Sequence, residues 1–124
     1  VFSHVPVSGA SMVGNYWFQN KPQHATYPNA ADARAIIEAS GRVVLCVAGH
    51  VHWNSLHQAG GVPHITVQSL TESFTTGGEP AGAWATLEIG GGKIRWQTFG
   101  LDPINLDLPL GPLGHRWSAP LPAR

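Results

Sequence analysis

The sequence predicts an α/β fold, rich in strands and with one main helix. Three observations predict it. Residues 29–40 are the one stretch with helical periodicity and signals at both ends. Directly after them, Val43 to Ala48 run without a polar break, as strands buried on both faces of a largely parallel sheet do. Beyond that, four more strand-like runs follow, with Gly-rich turns inside two pairs of them.

Residues 1–3 are short and mostly apolar and stop at His4, so they read as the end of a buried strand. Pro6, Gly9 and Gly14 mark a loop. Residues 15–28 contain Trp17, Phe18 and Tyr27 without a period, and read as irregular chain with at most one helical turn. The helix follows. Asn29 is placed to cap it, Asp32 suits its first turn, and Gly41 is placed to close it. Its expected inward stripe is Ala33, Ile36, Ile37 and Ser40. Residues 42–48 then form a buried strand. Helix, glycine, buried strand and polar loop make half of a βαβ layout, in which chemistry lies beyond the carboxyl ends of the strands. The loop in that place is Gly49-His50-Val51-His52-Trp53-Asn54.

The second half is expected to be strands at 53–59, 63–68, 83–89 and 93–99. Gly60-Gly61 and Gly90-Gly91-Gly92 serve as hairpin turns, and 69–82 is a polar loop. From Leu101 the chain is punctuated by Pro103, Pro109, Pro112, Pro120 and Pro122. The expected division is therefore a folded unit over 1–100 and a proline-rich extended tail over 101–124, without an element of its own.

Composition narrows the function. The 124 residues suit one compact domain, and 43% of them are apolar, enough for a core. Seven basic and seven acidic side chains balance, which argues against a nucleic-acid polymer or an anionic membrane surface as partner. Only 11% of residues are charged, low for the outside of a free small domain, so a partner surface is expected. Cys46 is the only cysteine, so no disulfide can form within the chain. No stretch is long and apolar enough to span a bilayer, and the expected compartment is cytoplasmic. The chain begins at Val1 rather than Met, which carries the expectation of preceding sequence.

Seven histidines stand out in a chain of this size. His4, His50 and His52 share a setting: each follows an apolar strand and lies in a loop containing Gly or Pro. Neutral imidazole is a common ligand for divalent transition metals. In extended chain, residues i and i+2 point to the same side, roughly 6–7 Å apart. Two metals about 3.5–4 Å apart could each take one of such a pair. His4, from a neighbouring strand end, would complete the set. His24, His57, His64 and His115 lack such a motif and read as structural or surface residues.

These residues resemble the calcineurin-like metallophosphoesterase superfamily. Ser3-His4-Val5-Pro6 is similar to its fourth motif, a lone His after a strand, and Gly49-His50-Val51-His52 to its fifth, Gly-His-x-His. The resemblance covers most of residues 1–100 and implies the C-terminal part of a four-layer α/β/β/α sandwich. It implies His4 and His50 on one metal and His52 on the other, in a dinuclear centre of divalent or trivalent Mn, Fe, Zn or Co. It also implies hydrolysis of a small phosphoester, as phosphatase or phosphodiesterase, by a metal-bridged hydroxide. Gln68-Ser69-Leu70-Thr71-Glu72 points towards the cyclic-nucleotide phosphodiesterase branch.

The first three family motifs have no counterpart. Gly14-Asn15-Tyr16 has Tyr where the family has His, and Asp32, Asp102 and Asp107 lie in no motif. The resemblance thus implies that a missing N-terminal half, of roughly 100–150 residues, brings the remaining ligands. Apart from it, the chain would be weak or inactive, and unstable or held together as a homo-oligomer. Trp53 and Asn54 either line the substrate mouth or, for Trp53, pack beneath the loop. A competing reading is a non-catalytic β-rich binding module, whose five Trp residues serve recognition and whose histidines are incidental or hold one structural zinc.

Overall fold

The computed structural model describes residues 1–110. In chain order the elements are β1 (Phe2–Ser3), a 3-10 turn (Pro22–His24), α1 (Ala30–Ser40), β2 (Cys46–Ala48), β3 (Ser55–Ala59), β4 (Val62–Thr66), β5 (Trp84–Gly90), β6 (Lys93–Phe99) and β7 (Asn105–Pro109). The fold is mixed α/β, strand-rich, with one main helix.

The strands form two sheets. The first has the order β1-β2-β4-β3, with β1, β2 and β4 parallel and β3 antiparallel to β4. The second is an antiparallel meander, β5-β6-β7. Both predicted glycine turns form. Gly60 and Gly61 (φ 56° and 82°) join β3 to β4, and Gly91 and Gly92 (φ 58° and 78°) join β5 to β6. Two successive positive φ values match the right-handed twist of the flanking strands. β2 is shorter than the run expected at 42–48. Its neighbour β1 offers only two residues, and on the other side Pro63 brings no N–H to the ladder.

The proline-rich tail was expected to hold no element, and here the structure differs. Asn105–Pro109 is β7, paired along β6 from Gln97↔Asn105 to Lys93↔Pro109. Within it Leu106 and Leu108 alternate with polar residues, and Leu108 is fully buried. The prolines flank this alternation, and Pro109 ends an edge strand, where a missing N–H is tolerated. The rest of the expected tail, 111–124, lies outside the described residues.

The two sheets face each other across one core. Leu45, Val47 and Ile65 come from the first sheet and the chain leading into it, and Ile94, Trp96 and Leu108 from the second. β6 shows the cause: Ile94, Trp96 and Thr98 are buried while their neighbours are not, the period of two expected of a sheet with one covered face.

The helix ends as predicted but is turned differently. Gly41 closes it in the left-handed conformation (φ 61°), its N–H bonded to the Glu38 carbonyl at 3.4 Å. Asn29 makes no side-chain cap; its carbonyl accepts the Ala33 N–H at 3.2 Å. The inward face is Ala30, Ala33, Arg34, Ile37 and Glu38, so Ala33 and Ile37 of the predicted stripe point in, whereas Ile36 is 72% exposed. One hydrogen bond and one packing contact accompany the rotation. Arg34 Nη1 donates to the Val7 carbonyl at 2.7 Å, and the Glu38 side chain lies in the space a Cβ would fill at Gly60.

One glycine after the second sheet's central strand is required. Gly100 has φ 114°, and a Cβ there would sit 2.5 Å from the Ala81 carbonyl oxygen. That carbonyl accepts the Leu101 N–H, so it is held in place. Gly100→Ala should therefore destabilise the fold by about 2 kcal/mol, read as a lowered urea midpoint with unchanged slope. A midpoint equal to wild type would show that the Ala81 segment moves freely aside.

Candidate metal centre

The parallel register builds the site. Phe2↔Val47 and Ser3↔Ala48 bring the ends of β1 and β2 level, so His4 and Gly49 emerge side by side. The Gly49 N–H donates to the His4 carbonyl at 3.0 Å and continues the ladder past the strands. The His4 and His50 rings meet edge to face with centroids 5.2 Å apart. Both lie beyond the carboxyl ends of neighbouring parallel strands, the position expected for a site in such a sheet.

The loop bends where the sequence did not suggest. Gly49 has ordinary backbone, and a Cβ there would meet only normal contacts. The two histidines take the left-handed conformation instead, His50 at φ 66° and His52 at φ 56°, and they are the only described non-glycine residues with positive φ. The expected extended His-x-His is thus replaced by a folded one. The Val51 N–H bonds back to the Gly49 carbonyl at 2.7 Å, closing a three-residue turn around His50. Val51 is fully buried against Met12 and Ala25 and anchors the bend. Its carbonyl accepts the amide of the buried Asn15 at 2.8 Å, and the other end of that amide accepts the backbone N–H groups of Trp17 and Phe18. Backbone held in a sparsely populated conformation by such surroundings is a mark of functional loops.

Hydrogen bonds fix both rings. His50 Nε2 is 2.9 Å from the His24 carbonyl oxygen, which can only accept, so Nε2 carries the proton and Nδ1 keeps its lone pair. His52 Nδ1 is 2.7 Å from Glu72 Oε2. Glu72 is buried and accepts further donors, the Trp17 indole N–H at 2.8 Å on Oε2 and the Phe74 and Thr75 backbone N–H groups at 2.8 and 3.1 Å on Oε1. Burial raises the pKa of this carboxyl, but the hydrogen bonds from Trp17, His52, Thr75 and Phe74 outweigh it and hold the pKa below the ordinary value. With the carboxylate accepting at Nδ1, His52 keeps its lone pair on Nε2. An imidazole that donates one N–H to a carbonyl or carboxylate, and presents the other nitrogen bare, is how metal-ligating histidines are oriented. His50 and His52 therefore each present one bare nitrogen, the donor chemistry that a transition metal takes.

The structure brings His4 and His50 together, while the His52 ring turns towards Trp17 (centroids 5.6 Å apart) and Glu72. Among the described residues no three His, Cys, Asp or Glu side chains gather closely enough to hold a metal by themselves. The two residues named for the substrate mouth separate. Trp53, with Tyr16, Trp17, His52 and Gln68, lines a cleft of about 400 Å³ next to the histidine loop, and it also packs on the cluster beneath that loop. Asn54 does not line the cleft. It is 3% exposed, its amide donating to the Asp102 carbonyl at 2.6 Å and accepting the Gln68 N–H at 2.9 Å, so it ties two loops together.

Glu72 enters the sequence reading only as part of the run Gln68 to Glu72, with no role beside the histidines. It is 20 positions from His52 and shares its loop with Glu79, so no spacing or charge signal sets it apart. Of the other histidines, His57 and His64 are cross-strand neighbours in β3 and β4, His24 offers its backbone carbonyl to His50, and His115 lies outside the described residues.

No protein-family profile matches the chain. No curated protein matches it either. Among solved structures, the chain is similar to a single-substitution variant of Vps29 from Entamoeba histolytica, with 20% sequence identity and a TM-score of 0.45. The match covers 62% of this chain and 46% of that one, so this chain spans less than half of that protein's length.

Proposed function

We propose that this chain is the C-terminal half of a calcineurin-like metallophosphoesterase domain, and that it contributes His4, His50 and His52 to a dinuclear centre that hydrolyses phosphoesters. One observation carries the reading. Two neighbouring parallel strands end level with each other on His4 and on the Gly-His-x-His loop, with the His4 and His50 rings in contact. A four-layer sandwich would follow once the preceding half packs against these two sheets.

Within this reading, bound Mn, Fe, Zn or Co ions supply Lewis-acid polarisation of the phosphoryl group and activation of water at neutral pH. His50 offers Nδ1 and His52 offers Nε2, the nitrogens their hydrogen bonds leave bare. His4 stands beside His50 and would share its metal. Trp53, Trp17 and Tyr16 wall the cleft next to His52, where they would exclude water and seat the organic part of a small phosphoester. The aspartate and amide ligands of the family would come from the preceding half.

The test uses the full-length polypeptide that contains this chain, assayed with bis(p-nitrophenyl) phosphate and added Mn(II). His52→Ala should lower kcat/KM by about a hundredfold, measured at a temperature where the variant is still folded, since it also removes a donor from the buried Glu72; loss of a metal ligand costs at least as much as loss of its supporting partner. An unchanged rate would remove His52 from the mechanism. A single tightly held zinc in a closed tetrahedral shell would instead favour the binding-module reading.

A further inference from the structure

We infer that Glu72 is a positioning residue for the metal centre, holding the His52 ring in the tautomer and orientation that present Nε2. The inference rests on the metal reading above, since it assigns a role towards the same site. The geometry carries it. The Glu72 side chain is 1% exposed, and His52 is its only ion-pair partner among the described residues. A buried carboxylate with no Lys or Arg beside it is costly unless its oxygens are filled by donors. Here they are. Phe74 and Thr75 N–H groups occupy Oε1, and the Trp17 indole N–H shares Oε2 with His52. The peptide N–H groups fix the carboxylate as a clamp, and Trp17 fixes its rotation. The remaining acceptor direction on Oε2 then meets His52 Nδ1 at 2.7 Å.

The left-handed backbone of His52 (φ 56°) sets where the ring starts, and Glu72 sets which nitrogen faces outward. A metal bound at Nε2 would place a positive charge on the far side of the ring from the carboxylate. The buried negative charge, otherwise compensated only by N–H dipoles, would then raise the basicity of the ligand. Glu72 touches neither metal nor substrate in this arrangement and acts through His52 alone.

Glu72→Gln is a sharp test because every partner of the carboxylate is a donor. The new amide NH₂ must face either the Phe74 and Thr75 pair or the Trp17 and His52 pair. Facing His52, it would turn Nδ1 into an acceptor and move the proton to Nε2. The experiment is ¹⁵N NMR of the histidine rings in the metal-free full-length polypeptide in alkaline buffer, together with Mn(II) titration. Wild type should show His52 protonated on Nδ1. Glu72→Gln should shift the population towards Nε2–H and weaken Mn(II) binding by about 10–100-fold. Wild-type His52 protonated on Nε2, or wild-type Mn(II) affinity in a folded Glu72→Gln, would overturn the inference. Should Glu72→Gln fail to fold, the wild-type tautomer decides alone. His52→Ala separates the two claims: if it leaves Mn(II) affinity intact, the metal reading itself falls, and if it weakens binding while Glu72→Gln does not, only the role of Glu72 falls.

Discussion

Trp96→Ala should lower the unfolding free energy by about 3–5 kcal/mol, close to the whole margin of a small domain. Trp96 sits in the middle of the central strand of the second sheet, opposite Leu87 on β5 and Leu106 on β7, and is 3% exposed. Its indole fills the space towards Leu45, Val47 and Ile65 of the first sheet. Removing it leaves a cavity between two sheets whose backbones are pinned by ladders on both sides, so the gap cannot collapse cheaply. The indole N–H is buried without a partner among the described residues, so no hydrogen bond to them is lost with it. For that reason Trp96→Phe should cost much less, about 1 kcal/mol, because it also relieves an orphaned donor. Urea unfolding of the two variants checks the pair. Equal losses would show that ring volume is not what Trp96 supplies.

Acid should destabilise the fold through His64. This ring is 4% exposed in β4, beside Cys46 in β2 and His57 in β3, and its Nε2 has no partner among the described residues. Burial is the largest cause of its lowered pKa, followed by His57, Arg34 and the N-terminal amine, and together they push it down to about 4. The sign follows from proton counting. Between the ordinary value of 6.5 and about 4, the unfolded chain binds a proton that the folded chain refuses. Stability is therefore full above pH 6.5 and falls as pH drops towards 4, by about 3 kcal/mol for this one group. His64→Val removes the titration and the orphaned nitrogen together. Its stability should fall much less than that of wild type between pH 6.5 and about 5, before the buried carboxylate of Glu72 begins to matter. A wild-type urea midpoint that stays constant from neutral pH to pH 4 would contradict the assignment.

Much of the fold could be read from residue order because local signals and tertiary packing agree. Lys93–Phe99 forms over the expected residues because its alternation and its flanking Gly turn point the same way. Gly41 ends the helix because only a left-handed residue closes it without strain. The misreadings come from long-range choices. Ile36 belongs to an apolar helical stripe, yet the helix instead turns Arg34 towards Val7 and Glu38 towards Gly60. β7 was hidden because prolines on either side masked a five-residue alternation that matters only once β6 is beside it. At the site, His4 and His50 could be placed together because both follow strand ends, although only β2 is buried: β1 is an edge strand with Phe2 74% exposed, not the buried strand expected at residues 1–3. The fold of the loop at His50 and His52, the buried amide of Asn54 and the clamp at Glu72 depend on residues 14 to 48 positions away, or on backbone angles that no spacing encodes.

The left-handed backbone at His50 and His52 places strain in this loop. A side chain with a Cβ in that conformation costs about 1 kcal/mol or more, a cost that glycine would avoid. The changes that most relax the bend are therefore the ones that strip it of nitrogen donors. Glycine at either position would also lose a contact the imidazole makes, His50 with the His24 carbonyl and His52 with the buried Glu72, so the strain is offset within the same loop.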